Sequence, residues 1–129
     1  MKTSKFQFLN PYLVELNFSE NENFDKTNTK ELEMQNNFNV EVKRNKDENV
    51  ANVQLSLDIN KDNKGAPFKL SIKVASDFIW EDMQEKEIET MLTLNAPALL
   101  LGYMRPIVAN ITNVSSFPVY NLPFINFKG

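Results

Sequence analysis

The densest group of side chains that could perform chemistry is the acidic stretch EDMQEKE, Glu81 to Glu87. Two carboxylates perform general acid–base catalysis when burial or a neighbouring charge separates their pKa values. The first turn of a helix also carries such acids, because the positive end of the helix dipole favours them. We favour the helical interpretation and assign no catalytic residue to this stretch.

The amino-acid composition excludes most other kinds of catalytic and metal-binding site. The 129 residues include no Cys and no His. Their absence excludes Cys/His zinc sites, disulfides, thiol catalysis and His-based triads. The stretch from Asp58 to Gly65 resembles the start of a calcium loop, but Asn63 and Lys69 stand where a glycine and a bidentate acid are required. We therefore predict a protein that is not an enzyme and that binds no metal and no cofactor.

Length and charge describe one small folded unit. A chain of 129 residues is expected to form a single domain, residues 1–129, since two cores would each bury too little surface. The formal net charge of −3 disfavours nucleic acid as a partner. The N-terminus lacks the apolar stretch of a signal peptide, and the apolar run from Ala96 to Met104 is too short to cross a bilayer. We expect a cytoplasmic protein that does not insert into membranes.

Alternating apolar and polar residues, typical of half-buried strands, occur in four segments. These segments are Tyr12 to Phe18, Leu32 to Val42, Val53 to Ile59 and Phe68 to Trp80. Short polar turns separate the last three, which predicts an antiparallel meander. The connection between the first and the second is too long for a tight hairpin and predicts a crossover. The side chains expected on one face of the first strand are Tyr12, Val14, Leu16 and Phe18.

The last third of the chain changes to helical spacing. Residues 81–94 carry apolar side chains three and four positions apart, with acids in the first turn. A second helix is expected to begin with Asn95 as its N-cap and Pro97 in its first turn. Strands followed by helices indicate the α+β class. We predict a four-stranded antiparallel sheet with two C-terminal helices packed on one face.

Aromatic residues exceed what these strands and helices need. Phe24 and the C-terminal stretch FPVYNLPFINF lie outside the regular elements. Their rings either fill the core or line an exposed apolar groove, and both interpretations stay open. Exposed apolar patches mark binding sites, so we assign a candidate client-binding groove. Its residues are Phe24, Phe38, Tyr103, Phe117, Tyr120, Phe124 and Phe127.

The C-terminal third closely resembles the corresponding segment of the SecB family of export chaperones. The matching stretch is APALLLGYMRPIVANITNVSSFPVYNLPFINF, from Ala96 to Phe127. Its most specific marks are the pairs Phe117-Pro118, Asn121-Leu122 and Asn126-Phe127. The stretch YLVELNF is similar to the family's first strand, and the strands between match in pattern and length. The resemblance thus extends over nearly the whole chain.

Membership of this family implies a molecular chaperone that holds unfolded precursor polypeptides and passes them to the SecA motor for translocation. It also implies SecB-like subunits that assemble as a dimer of dimers, a homotetramer, without a cofactor. Pairing of a free sheet edge across a two-fold axis removes the liability of an open edge. The residues expected at such an interface are Tyr12, Val14, Leu16, Ile88 and Met91. The acids expected to face SecA are Glu15 and Glu20.

The sequence also departs from the family pattern on the surface that would face SecA. Ser19 stands where the next acid is expected, and Lys69 and Ser71 replace an apolar residue and an acid. A SecB-like chaperone dedicated to another client, such as an antitoxin, is therefore one alternative to export. Two further alternatives are a scaffold module that keeps the fold without binding clients and an enzyme that uses carboxylates alone.

Overall fold

The structure, a computed structural model, describes residues 5–24, 33–117, 120–125 and 127. The expected strand start at Leu32 and the family marks Pro118 and Asn126 lie outside these described residues. The described elements are β1 Phe6–Phe8, β2 Tyr12–Glu20, β3 Asn36–Arg44, β4 Val50–Ile59, β5 Phe68–Trp80, α1 Glu85–Thr90, a π-helical segment Met91–Asn95 and α2 Ala96–Asn113. The order of strands and then helix confirms the α+β class.

The strands form one antiparallel sheet in which β5 is the central strand. β3, β4 and β5 pair in sequence order, so the predicted meander is confirmed. β2 pairs with β5 and not with β3, so the predicted crossover is confirmed as well. The sequence did not predict β1, which pairs with the end of β5 along the same edge as β2. The sheet is therefore four strands wide, with β1 and β2 as two pieces of one broken edge.

Strands β4 and β5 carry most of the core on one face of the sheet. Every second side chain of β4 is buried, as the alternation predicts. The buried side chains of β4 are Ala51, Val53, Leu55, Leu57 and Ile59, and those of β5 on the same face include Phe68, Leu70, Ile72, Val74, Phe78 and Trp80. The long helix packs over these two strands.

The turn between β4 and β5 is organised by Asn60. Its φ of 60° is a left-handed conformation that Asn tolerates better than most residues. Its buried side-chain amide donates to the carbonyl oxygen of Phe68 at 3.1 Å, and its Oδ1 accepts from the backbone N–H of Gln35 at 3.0 Å. The segment that resembled a calcium loop is thus a polar turn, and one of its residues also fixes the start of β3.

A bulge in β2 contradicts the predicted single face of the first strand. The register with β5 shifts between Leu13 and Glu15, so that Val14 is an extra residue. Leu16 and Phe18 face the core, because they pair with buried residues of β5. Tyr12 instead lies on the outer face, where its hydroxyl accepts a hydrogen bond from Asn52 at 3.1 Å. One inserted residue reverses the orientation of every side chain that precedes it.

The prediction of two separate C-terminal helices is wrong. Asn95 does not act as a cap, since its φ and ψ of −77° and −41° are helical and its side chain makes no capping hydrogen bond. The backbone N–H of Ala96 bonds the carbonyl of Met91, the spacing of a π-turn. One helical stretch therefore runs from Glu85 to Asn113. Its buried side chains recur four residues apart, at Ile88, Leu92, Ala96, Leu100, Met104, Val108 and Thr112.

Arg44 ties the end of β3 to the start of this helix. Its guanidinium donates to the two carboxylate oxygens of Glu85 at 2.6 and 3.0 Å and to Glu89 at 3.2 Å. It also lies 5.2 Å from the centroid of the Trp80 ring, within the range of a cation–π contact. The hydrogen bond from Arg44 lowers the pKa of Glu85 below its ordinary value of 4.5.

The lowered pKa of Glu85 makes its contribution to stability depend on pH. A carboxylate with a depressed pKa stabilises the fold above its unfolded pKa and loses that effect as pH falls through the folded value. We expect Glu85→Gln to lower the urea midpoint at about pH 7, and we expect this difference from the wild type to shrink as the pH falls below the ordinary pKa of 4.5 and through the folded value. Glu87→Gln is the matched control, since Glu87 lies in the same helical turn and makes no ion pair among the described residues. A Glu85→Gln difference that stays constant with pH would contradict the assignment.

Candidate functional site

The aromatic residues assigned to a groove separate into two clusters and one isolated ring. The first cluster contains Phe24 and Phe117, whose ring centroids are 5.6 Å apart in an edge-on arrangement. Phe117 also lies 6.3 Å from Phe68, which is buried in the core. Phe24 and Phe117 are therefore half-buried side chains that extend the core at this end of the sheet.

The second cluster joins the C-terminal segment, residues 120–125 and 127, to β3 and α2. The amide nitrogen of Asn36 donates to the Tyr120 hydroxyl at 2.8 Å, and the backbone N–H of Tyr120 donates to Thr112 Oγ1 at 2.9 Å. The Phe127 ring meets Phe38 edge-on, with centroids 6.3 Å apart. These contacts place the C-terminal segment across the gap between the helix and the edge strand.

Arg105 holds the middle of the C-terminal segment. Its guanidinium donates to the carbonyl oxygen of Leu122 and, at 2.8 Å, to that of Pro123. Leu122 is 5 % exposed and joins the core. Leu122 belongs to one of the family marks and Arg105 lies in the matching stretch, but neither was given a role, because nothing in their spacing shows that an arginine on α2 binds carbonyls of a later loop.

Phe124 is the exception within the C-terminal segment. Its side chain is 88 % exposed, although the residues on either side are held by Arg105, Tyr120 and Phe127. The two interpretations of the aromatic residues, as core filling and as exposed surface, therefore each apply to part of this segment. We call the half-exposed apolar surface formed by Phe38, Tyr120, Phe124 and Phe127 the tail surface. Tyr103, also assigned to the groove, is half-buried on α2 and packs against the core.

A second apolar surface follows the broken edge of the sheet. Tyr12 and Val14, both assigned to an interface, are each 47 % exposed. Their exposed neighbours were not predicted from the sequence. The apolar residues near the N-terminus were the one available sign that the exposed surface extends beyond Tyr12 and Val14. We call this set the edge patch, and its members are Phe8, Leu9, Tyr12, Leu13, Val14 and Ile79.

Met91 connects the edge patch to the helix, whereas two other expected interface residues lie further inside. Met91 and Leu99 line a hollow of about 390 Å³ with Phe6, Phe8 and Phe78 between the helix and β1. Leu16 is half-buried against the core. Ile88 is 5 % exposed and belongs to the core of the subunit, so it offers little surface to a second copy, and its place at an interface stays a prediction.

The two acids expected to face SecA do not share a surface. Glu15 lies on the outer face of the sheet, 3.5 Å from the Lys73 ammonium, and accepts a hydrogen bond from Asn17 at 2.9 Å. Glu20 pairs with Phe68, whose side chain faces the core, and its carboxylate accepts hydrogen bonds from the backbone N–H and hydroxyl of Ser116 at 2.6 and 2.8 Å. Glu20 therefore holds the start of the C-terminal stretch, whereas Glu15 lies on the outer face; a contact of either acid with SecA stays a prediction.

Among the described residues, no three or more Asp or Glu side chains are grouped so that they could hold a metal ion. The acids of the stretch from Glu81 to Glu87 are exposed, and Glu85 is engaged by Arg44. No helix within the described part of the chain is long and apolar enough to cross a membrane. The fold and its apolar surfaces define a class of protein that works by binding.

Comparison with known proteins identifies the family. The family model described as preprotein translocase subunit SecB matches residues 1–129. Protein-export protein SecB 1 of Francisella tularensis subsp. novicida (strain U112) is 31 % identical over 126 residues, which cover 95 % of this chain and 84 % of that protein. The chain belongs to the SecB family of protein-export chaperones, and it is not an enzyme. The resemblance found in the sequence is thereby confirmed.

Solved structures share the fold. A SecB-like chaperone of Mycobacterium tuberculosis, in complex with a ChAD peptide from the HigA1 antitoxin, superposes with a TM-score of 0.75 at 16 % identity, over 95 % of this chain and 91 % of that chain. A protein of unknown function from Streptococcus agalactiae superposes with a TM-score of 0.55 at 16 % identity, over 95 % of this chain and 100 % of that chain. Both likenesses support the α+β architecture with one long C-terminal helix.

The contacts of Arg105 predict how the C-terminal segment detaches. Hydrogen bonds to a charged group contribute about 1.5–3 kcal/mol each, and roughly 1.4 kcal/mol changes an equilibrium tenfold. We expect Arg105→Gln to release the segment and to raise its cleavage by chymotrypsin at least about tenfold, while the rest of the chain stays protected. Lys86→Gln, which removes an exposed cation near the other end of the helical stretch, should leave the cleavage rate unchanged. An unchanged rate in Arg105→Gln would show that the segment does not depend on this contact.

Proposed function

We propose that this chaperone is a holdase that keeps polypeptides unfolded by binding their apolar segments at the tail surface. The observation that carries the proposal is the 88 % exposure of Phe124 within a segment that Arg105, Tyr120 and Phe127 otherwise hold in place. When an apolar side chain of a client covers an exposed ring, the free energy of the complex falls. Because the segment is already anchored, it loses little conformational entropy on binding.

The chemistry of the tail surface suits clients of many sequences. Its rings offer broad apolar contact without a deep pocket that would select one side chain. Recognition of this kind needs no reactive group, cofactor or metal. The Phe38 and Phe127 rings meet each other and pack against the core, whereas the Phe124 ring is exposed and available to a client.

We further propose that subunits associate through the edge patch into a dimer of dimers in the cytoplasm. Five large apolar side chains lie along the broken sheet edge and a sixth, Ile79, lies on the neighbouring strand β5; all six are between 39 % and 49 % exposed, and a second copy can cover them. Association through a two-fold axis also closes the unpaired edge. Several tail surfaces in one assembly would hold a long client through several weak contacts at once.

Export is the destination that membership of the family supports, with SecA as the proposed receiver. A contact with SecA would rest on Glu15 and its outer-face neighbours, since Glu20 points toward Ser116. A client-dedicated role is the second candidate, because a chaperone of the same fold is known in complex with an antitoxin peptide. Capture of SecA at low ionic strength, where exposed charges act over the longest distance, separates the two roles.

The proposed holdase activity is tested on a reduced, permanently unfolded protein that aggregates. We expect the chain to suppress aggregation when it is present in stoichiometric amounts. Phe124→Ser should weaken suppression several-fold at unchanged thermal stability, since the ring is exposed and contributes little to the core. Val114→Ser is the matched control, because Val114 is 80 % exposed but lies outside the tail surface.

Aggregation that proceeds unchanged with the wild-type chain would favour the scaffold alternative over a holdase. Equal suppression by Phe124→Ser and the wild type would remove Phe124 from the site. Phe117→Ser serves as a contrast, because this half-buried ring packs against the core and its truncation should lower stability by part of the about 3–5 kcal/mol that a completely buried Phe contributes.

The proposed interface is tested by a charge placed in the edge patch. Val14→Lys should shift the native mass to smaller assemblies, because burying an unpaired ammonium between subunits is unfavourable. Asn17→Lys adds the same charge to an exposed position of the same strand outside the patch and should keep the wild-type mass. If both variants keep that mass, the interface lies elsewhere.

A further inference from the structure

Strand β3 forms the edge of the sheet opposite the edge patch. It pairs with β4 over nine residues without a shift in register, from Asn36 opposite Ile59 to Arg44 opposite Ala51. No other strand in the described part of the chain pairs with the second side of β3. Its outward backbone groups are therefore available for one more strand.

Two hydrogen bonds at the strand ends show which residues of β3 point outward. The backbone N–H of Asn60 donates to the carbonyl of Gln35 at 2.8 Å, so Gln35 directs its backbone groups toward β4. Backbone direction alternates along an antiparallel strand. The odd-numbered residues of β3 are therefore bonded to β4, and the even-numbered residues direct N–H and C=O away from it.

The register of β4 gives the same answer independently. The backbone N–H of Trp80 donates to the carbonyl of Asn49 at 3.2 Å, so odd-numbered residues of β4 bond to β5. The even-numbered residues of β4 are then left for β3, and they lie opposite Asn37, Asn39, Glu41 and Lys43. The outward-directed amides in the middle of β3 are thus those of Phe38, Val40 and Val42.

The usual protections of an edge strand are weak on β3. Bulges, prolines and inward-pointing charges commonly block the approach of a further strand. The opposite edge has Pro11 between its two pieces and a bulge at Val14. β3 has neither a bulge nor a proline, and its one lysine, Lys43, is exposed on the polar face of the sheet. Its inward-directed charge, Arg44, stands at the last residue of the strand.

We propose that the free side of β3 receives one extended segment of the unfolded client as an added strand. This inference rests on the proposed holdase function and names how that function binds the client backbone. Backbone pairing does not depend on client sequence, which suits a chaperone of many clients. Alternate side chains of the added strand would point to the same side of the sheet as Phe38, close to the Phe127 ring, and the others would meet the polar row of Asn37, Asn39 and Glu41.

Site-resolved hydrogen exchange tests the added strand directly. The full chain is measured alone and with reduced, carboxymethylated lactalbumin as a permanently unfolded probe. We expect the amides of Phe38, Val40 and Val42 to exchange at least about tenfold more slowly with the probe, because each gains a partner. The amides of Asn39 and Glu41, already bonded to β4, should change little. An apolar surface alone would not produce this alternation.

Other results of the exchange experiment overturn the inference in distinguishable ways. If the probe binds and the alternation is absent, the added strand is wrong while the holdase function stands. If the three amides are already slow in the free chain, a second copy or another part of the chain covers this edge. If the probe does not bind at all, the holdase function fails, and the inference fails with it.

A proline substitution gives a second test at a single position. Val42→Pro removes an outward N–H without removing a hydrogen bond to β4, and Val42→Ala keeps that N–H with a smaller side chain. We expect Val42→Pro to bind the probe about twofold to tenfold more weakly than Val42→Ala, as for the loss of one net hydrogen bond. Equal affinities of the two folded variants would overturn the proposal. If Val42→Pro does not fold, the hydrogen-exchange pattern of the wild type is the test that decides.

Discussion

One helix is too narrow to cover a sheet that is four strands wide, and the rest of this structure depends on that constraint. A helix with its side chains is about 10 Å across, whereas four strands spaced about 4.8 Å apart are wider. The long helix lies over β4 and β5, so these strands have the completely buried side chains. The two flanking strands need other cover, and the chain covers them differently.

On the β3 side, the C-terminal segment supplies the missing cover. Leu122 fills the core, Tyr120 is bonded to Asn36 and Thr112, and Phe127 meets Phe38. Because this cover is a narrow segment held by Arg105 and a few rings, it leaves Phe124 outside. On the other side, no described segment covers β1 and β2 in the same way, and the edge patch is the result. Both apolar surfaces thus arise because the single helix does not cover the two flanking strands.

Much of the fold could be predicted from the sequence because strand alternation is a local signal. The meander of β3, β4 and β5, the crossover and the α+β class all followed from side-chain period and turn composition. The bulge at Val14 could not be predicted, since the first strand keeps an alternating pattern while the register with β5 shifts by one residue. The sites were less predictable than the fold, because the partners of Arg105, Glu20 and Ile88 are distant in sequence.

The continuous helix has a physical reason that sequence rules did not anticipate. Proline at position 97 lacks an N–H and its ring would crowd the carbonyl four residues earlier, so a helix start just before it was the simplest interpretation. The π-helical segment Met91–Asn95 ends two residues before this position, and bonding to the fifth preceding residue widens the helix there. We infer that the wider turn accommodates the proline ring without breaking the helix.

The two edges of the sheet present different chemistry for association. The β1 and β2 edge is broken by Pro11 and bulged at Val14, so it offers a poor backbone ladder but many apolar side chains. Side-chain contact of this kind is specific to one complementary surface, which suits a second copy of the same chain. The β3 edge is regular and offers backbone groups that any extended polypeptide can meet. A chaperone needs a fixed partner for assembly and variable partners as clients, and in this proposal the regularity of each edge decides which partner it accepts.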